Sequence, residues 1–125
     1  MPETVDELIA ILELRQSAEN VFVGQDAGSA RQRVFGGQVL AQALTAAYRT
    51  VPDSRVAHSL GAYFLRAGVA GTPIDYTVER TRDGGSFSAR RVVATQGERV
   101  IFSMVSSFHE VESGTADFGV VPIEN

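Results

Sequence analysis

One long apolar helix followed only by strand-like sequence is the feature that most constrains the fold of this chain. Residues 34–48 favour a helix, and their apolar members recur at the spacing that places side chains on one helical face: Val39, Leu40, Ala43, Leu44 and Ala47. We expect that face to be buried in the core. Residues 51–53, Val-Pro-Asp, end the helix, and the sequence after them favours extended structure.

The start of this helix carries the first candidate site. Gly36 and Gly37 allow another group to approach the backbone closely and leave helix N–H groups facing outward. The pair fits either a tightly packed joint between loop and helix or a site where a ligand carbonyl or phosphate meets backbone donors. Along the same helix runs a stripe of polar residues: Gln38, Gln42, Thr45 and Arg49.

Four extended segments follow the helix and are separated by turn signals: 57–66, 72–82, 86–96 and 99–109. The Asp-Gly-Gly sequence at 83–85 favours a hairpin and predicts that the last three segments are antiparallel neighbours. Residues 101–108 are apolar on both sides, so we expect the helix to cover one face and a neighbouring element or subunit the other. A further strand is predicted over 19–25, after a short helix that is capped by Thr4 and has an apolar face including Ile9.

This order of elements predicts a single domain over residues 1–125 of the α+β class. Its arrangement is that of a hotdog fold, in which a curved antiparallel β-sheet wraps around one long central helix. A five-stranded sheet of this kind has an open edge, and pairing with a second copy would close it. We therefore expect a homodimer or a higher homo-oligomer.

Composition limits the chemistry. The chain has no cysteine, and all 11 of its basic residues are arginine, which excludes thiolate nucleophiles, cysteine zinc sites and lysine Schiff bases. Its two histidines, His58 and His109, are too far apart in sequence for a histidine metal motif, so no metal site is predicted.

Charge and hydropathy bear on partners and location. A net charge of −4 does not favour nucleic acid, and no apolar run is long enough to span a membrane. The acidic N-terminal residues do not resemble a signal peptide, which predicts a cytoplasmic protein. Residues 27–99 hold ten arginines against five acids, which suits either a small anionic ligand or a solvated strand surface.

Four sequence blocks together resemble the N-terminal hotdog of the acyl-CoA thioesterase II (TesB-like) family: residues 33–43, 57–66, 83–92 and 101–104. The resemblance covers nearly the whole chain and implies hydrolysis of fatty acyl-CoA thioesters to free fatty acid and CoA, without a metal or redox cofactor. Members of the family carry two hotdogs and place the Asp, Thr and Gln that act on water in the second. The resemblance therefore implies an incomplete catalytic set here, with activity in assembly with a second hotdog of the same or a partner chain.

Three residues are candidates for catalysis. When the two hotdogs of the family are treated as repeats, Gln38 takes the helix position of the second half's carboxylate and Ser106 that of its glutamine. Gln38 can orient a water or donate to a carbonyl, but an amide does not take up a proton near neutral pH. His58 is the candidate base because an imidazole side chain can take up or release a proton near neutral pH, although its apolar neighbours also suit a structural histidine.

The substrate-binding prediction has two parts. Gly36 and Gly37 are assigned to the thioester carbonyl. The CoA phosphates are assigned to groups on or beside the 83–85 turn, where guanidinium forks can bind phosphate oxygens in pairs: Arg82, Ser86, Arg90 and Arg91.

Two other functions compete with this prediction. A non-catalytic acyl-CoA-binding or assembly module is favoured by the lack of an acid on the central helix. A hotdog hydratase acting on enoyl-CoA is less favoured, because Asp26 has no nearby histidine in the sequence.

Overall fold

The computed structural model describes residues 5–25 and 36–111. Within these ranges there are two helices, α1 (Val5–Ile11) and α2 (Gly36–Tyr48), and six strands. The strands are β1 (Arg15–Ala18), β2 (Val21–Gly24), β3 (Arg55–Phe64), β4 (Ile74–Asp83), β5 (Phe87–Gln96) and β6 (Arg99–Glu110). They form one antiparallel sheet in the order β1-β2-β4-β5-β6-β3. The predicted α+β class, a curved sheet with one long helix against it, is confirmed.

The core lies between α2 and the inner face of the sheet. Val39, Ala43 and Ala47 on the predicted helical face are buried, whereas Leu40 and Leu44 are only partly buried. The buried face of α2 is rotated around the helix axis relative to the predicted apolar face. It includes two glutamines of the polar stripe, Gln38 and Gln42. Alanine at 43, 46 and 47 allows the helix to lie close to the sheet, so the flanking glutamines are enclosed with it.

Gln42 is buried because it has a complete set of partners. Its Nε2 donates to the carbonyl of Ile11 at 2.6 Å and to that of Gln25 at 3.1 Å, while its Oε1 accepts a hydrogen bond from the Tyr76 hydroxyl at 2.6 Å. Burial raises the pKa of Tyr76, which keeps the phenol a neutral donor. A Cβ on Gly24 would lie 2.7 Å from Cδ of Gln42, so only glycine leaves room for this network.

The structure corrects two predictions near the N-terminus. The sheet has six strands, since β1 precedes the strand predicted over 19–25, which is β2. All four residues of β1 are exposed, so the strand shows no apolar alternation, and Asn20, with φ of 65°, turns the chain between β1 and β2. In the α1 region Ile9 is 52% exposed while Ile11 is buried, so the predicted apolar face was wrong at Ile9. Thr4, the predicted cap, lies outside the described residues.

The two faces of β6 differ in burial. Phe102, Met104 and Phe108 point into the core, but Val105 on the outer face is 53% exposed. Within the described residues the inner face is therefore covered, whereas the outer face is left open at Val105. That a second subunit covers the outer face of β6 remains a prediction.

The strand β3 forms a long edge of the sheet. It pairs with β6 along its length, and within residues 5–25 and 36–111 no other strand pairs with it. Large apolar side chains along it are exposed: Leu60, Tyr63 and Phe64. The four-residue strand β1 forms the other edge, so β3 is the long open edge that the fold presents for pairing.

Candidate active site

A pocket of about 280 Å³ opens at the N-terminal end of α2. Its buried lining residues are Val39, Gly68, Ile101 and Phe102. The Phe64 ring lies 5.0 Å from the Phe102 ring, centroid to centroid. The complete lining is Gly36, Val39, Phe64, Leu65, Arg66, Ala67, Gly68, Ile101 and Phe102. A Cβ on Gly36 would lie 3.3 Å from the Phe64 ring. The glycine therefore allows β3 and the helix start to come together.

The helix end gives this pocket its polarity. The first N–H groups of a helix have no partner within it, and they carry a partial positive charge. Gly37, in the first turn, is exposed. Gln38 is 3% exposed, and its Nε2 donates to the Gln25 carbonyl at 3.2 Å, whereas its Oε1 has no partner among the described residues. The arrangement suits a carbonyl oxygen that approaches the backbone at Gly36 and Gly37.

Ser106 lies about 13 Å along β6 from Phe102, which lines the pocket at the N-terminal end of α2. Its buried Oγ has no partner among the described residues, and it is paired in the sheet with Leu60 and Arg90. Arg90 reaches Thr50, just beyond the C-terminal end of α2. Gln38 and Thr50 are separated by about 18 Å along a helix at 1.5 Å per residue. The structure thus places these two predicted catalytic residues towards opposite ends of α2.

Arg90 does not suit the predicted phosphate-binding role. It is 1% exposed, and its Nε donates to Thr50 Oγ1 at 2.7 Å while its Nη2 lies 2.9 Å from Asp83 Oδ1. A hydrogen bond from Ser88 and the contacts of Arg90 lower the pKa of Asp83. The structure does not favour Arg90 as a phosphate ligand, because its guanidinium is buried and fixes the β4–β5 hairpin to the end of α2.

A second pocket, of about 480 Å³, lies on the outer face beside the β4–β5 hairpin. It brings together three predicted site residues, His58, Arg82 and Ser86. Arg82 is exposed and has no ion pair with any described residue. Arg91 is exposed on the same face of the sheet, 3.8 Å from the carboxylate of Glu79.

His58 meets the other histidine of the chain. It is exposed, and its Nδ1 lies 2.9 Å from Nδ1 of His109. The sequence predicted either a structural or a catalytic role for His58 and no connection with His109. They meet because β3 and β6 are antiparallel neighbours and the register of β3 shifts between Ala57 and Ser59. Only knowledge of that register could have revealed the pair.

The two pockets are separate within one chain. Phe102 lines the first and Ser107 the second, and these residues are about 17 Å apart along β6 at 3.3 Å per residue. They also belong to opposite faces of the sheet. In the described part of the chain, no cluster of three or more His, Cys, Asp or Glu side chains is arranged to hold a metal ion. The same part contains no helix long and apolar enough to cross a membrane.

Residues 25–109 match the sequence profile of the acyl-CoA thioesterase N-terminal domain. The chain belongs to this family. The match runs from the approach to α2 almost to the end of β6, so it includes every predicted site residue of this thioesterase domain.

Curated relatives agree with this assignment. Acyl-CoA thioesterase 2 of Haemophilus influenzae is 38% identical over 122 residues, which are 98% of this chain and 43% of the relative. Human acyl-coenzyme A thioesterase 8 is 42% identical over 102 residues, covering 82% of this chain and 32% of the relative. The chain thus spans less than half the length of these curated relatives.

Solved structures share the hotdog fold with this thioesterase domain. The TesB protein of Mycobacterium avium subsp. paratuberculosis superposes with a TM-score of 0.84 at 38% identity, over 89% of this chain and 44% of that one. The acyl-CoA thioesterase II TesB2 of Mycobacterium marinum has a TM-score of 0.77 at 42% identity, over 94% of this chain and 41% of that one.

Proposed function

We propose that the chain is a hotdog domain of an acyl-CoA thioesterase and hydrolyses fatty acyl-CoA to free fatty acid and CoA when a second hotdog completes its site. Family membership supports the reaction. The observation that carries the proposal is the pocket at the N-terminal end of α2, one wall of which, Phe64, belongs to the open edge strand β3. A second hotdog on that edge would enclose the pocket.

The helix end suits the charge that the reaction develops. Water attacks the thioester carbonyl carbon, negative charge builds on the carbonyl oxygen, and the C–S bond then breaks as the CoA sulfur leaves and takes up a proton. Backbone N–H donors at a helix N-terminus stabilise such an oxyanion without reorganising. Gly36 and Gly37 allow the carbonyl to approach, and we assign the oxyanion to this position.

The remaining catalytic groups belong to the second hotdog. The sequence of α2 has no acid, and the amide of Gln38 orients a group rather than taking up a proton. Ser106 and His58 do not supply the missing base to this pocket, since Ser106 lies towards the other end of α2 and His58 lies on the outer face. A carboxylate from a second hotdog would supply it. A partner chain could supply it from its own helix, whereas another copy of this chain would supply it from an acid outside α2.

The CoA phosphates are assigned to the outer face beside the hairpin. Arg82 and Arg91 are exposed there, and Ser86 lines the same pocket as Arg82. Guanidinium groups bind phosphate oxygens through paired N–H donors. A cytoplasmic location and a homo-oligomeric assembly are also part of the proposal.

One observation favours a second function, the binding of acyl-CoA without turnover. A helix without a carboxylate beside its N-terminal pocket can hold a thioester and leave it intact. Because this alternative involves no catalysis, it requires no second hotdog.

One experiment distinguishes the two functions. Release of free thiol from a series of acyl-CoAs by the purified chain is measured beside its mass in solution. Turnover that rises with the assembled fraction supports the thioesterase, whereas binding without release supports the binding module. A chain that neither binds nor cleaves any acyl-CoA in its assembled form would contradict both.

A further inference from the structure

The two imidazoles of the chain form a pair on the outer face of the sheet. The Nδ1 atoms of His58 and His109 are 2.9 Å apart, and their ring centroids are separated by 4.9 Å with the planes inclined at 50°. Both atoms have a lone pair available in the neutral ring when the proton is on Nε2. In the free chain one Nδ1 donates a hydrogen bond to the other, and when both protons are on Nε2 the two lone pairs lie 2.9 Å apart beside the strands, where a bound ion would replace that hydrogen bond.

We propose that His58 and His109 form a two-point site for a borderline-soft divalent cation such as Cu²⁺, Ni²⁺ or Zn²⁺. Imidazole nitrogen binds these ions at about 2.0–2.1 Å. Two nitrogens 2.9 Å apart then subtend an angle of about 90° at the metal, which is the angle between adjacent ligands in tetragonal Cu²⁺ and Ni²⁺ complexes. A tetrahedral ion would need the nitrogens about 0.4 Å further apart.

The backbone holds the pair in position. His58 lies where the register of β3 shifts against β6, and His109 pairs in the sheet with Phe87 of β5 and Val56 of β3. The His58 ring also makes an edge contact with the Phe87 ring, at 6.1 Å between centroids. Because both histidines stand on paired strands, the chelate forms with little loss of side-chain freedom compared with two histidines on loops.

The surroundings set the affinity and the class of ion. His58 is exposed, so an ion can enter from solvent. Among the described residues no third His, Cys, Asp or Glu joins the pair, so water fills the other positions. Hard ions such as Mg²⁺, which require oxygen ligands, are therefore not expected to bind. The order of affinity follows Cu²⁺ above Ni²⁺ and Zn²⁺. This inference does not rest on the proposed thioesterase activity.

The test titrates the untagged chain with Cu²⁺ or Ni²⁺ by calorimetry, at a pH above the ordinary imidazole pKa of about 6.5. The variants His58→Gln and His109→Gln each leave a single imidazole, because the chain has only two histidines. The proposal predicts one ion per chain and affinity at least tenfold lower in each variant. Ser59→Ala, at the next position of β3, is the matched control and should bind as the parent does.

Equal affinity of the parent and both single variants would overturn the proposal, since each imidazole would then bind alone. A second measurement keeps the proposal testable if a variant folds poorly. The paramagnetic resonance spectrum of Cu²⁺ bound to the parent should show two nitrogen ligands, and a spectrum with one or none would also overturn it. Mg²⁺ serves as the negative control and should give no heat of binding.

Discussion

The ring of Phe64 lies against Gly36, 3.3 Å from the position that a Cβ on Gly36 would occupy. Phe64 belongs to the open edge strand β3, and Gly36 begins α2. The pocket at the helix end and the edge that is open for pairing therefore share one wall. In the proposed account, assembly along β3 and closure of the active site are the same event.

Disrupting the β3 edge should separate the subunits. We predict that the parent chain sediments as at least a dimer of its 13.4 kDa subunit at micromolar concentration, and that Leu60→Lys shifts it towards the monomer. Leu60 is 43% exposed on β3, and a lysine on an edge strand opposes pairing with another chain. Glu79→Lys, an exposed change on the inner strand β4, is the control and should leave the mass unchanged. A monodisperse parent monomer would contradict the prediction.

Replacing Gly24 should destabilise the fold. In Gly24→Ala the new Cβ would press on Gln42 and on the Tyr76 ring, which share the buried hydrogen-bond network. We expect a loss of about 1–3 kcal/mol in the free energy of unfolding, as is typical for overpacking. Gly85→Ala, at a position with no atom within 4 Å of the added Cβ, should unfold as the parent does. Urea unfolding of both variants measures the difference, and equal stability would disprove the role assigned to Gly24.

Acid should weaken the hairpin through Asp83. The hydrogen bond from Ser88, followed by the contacts of Arg90, lowers the pKa of Asp83 in the folded chain. A carboxyl whose pKa is lower in the folded than in the unfolded chain stabilises the fold. The contribution is complete at pH values above the unfolded pKa of about 4, and it is lost as the pH falls through the lower folded pKa. Asp83→Asn should therefore be less stable than the parent at neutral pH, with the gap narrowing in acid. Thermal unfolding across this range tests it, and a gap that stays constant with pH would contradict it.

Sequence patterns predicted those segments in which apolar and polar side chains repeat with one clear period. Residues Ile74, Tyr76 and Val78 alternate with polar neighbours, and the strand predicted there is β4. The same reasoning missed β1, whose residues are all exposed and show no alternation. Burial of a polar side chain depends on partners that are distant in sequence. Periodicity alone could not show that Arg90 would be buried against Thr50.

The candidate site could be predicted only where it depends on neighbouring residues in the sequence. The glycine pair at the start of α2 is a local signal, and the structure places Gly36 in a pocket. The grouping of Arg82 with His58 depends on the order of strands in the sheet, and the histidine pair depends on the register of β3 against β6. Neither relationship leaves a local pattern in the sequence.

Arg82 should contribute to the binding of CoA. We predict that Arg82→Ala weakens CoA binding about tenfold at low salt, the usual scale for losing a charge-assisted hydrogen bond, and that the loss shrinks as salt rises. Arg99→Ala removes an exposed arginine at the far end of the sheet from the hairpin and is the matched control. Calorimetric titration with CoA measures both variants. Unchanged affinity of Arg82→Ala at low salt would show that this arginine is only surface charge.

The most direct test of the account compares Gly37→Val with the parent in the assembled, active form. A valine side chain at the exposed helix start would obstruct the carbonyl, and loss of one oxyanion donor typically lowers kcat about a hundredfold or more. Hydrolysis of acyl-CoA, followed by thiol release, should fall by at least that factor, while Tm shifts only modestly and the sedimenting mass is unchanged. Gln38→Ala should lower turnover less, since Gln38 only orients a group. A folded, assembled Gly37→Val protein that hydrolyses acyl-CoA at the parent rate would contradict the account, because the oxyanion site would then lie outside this helix.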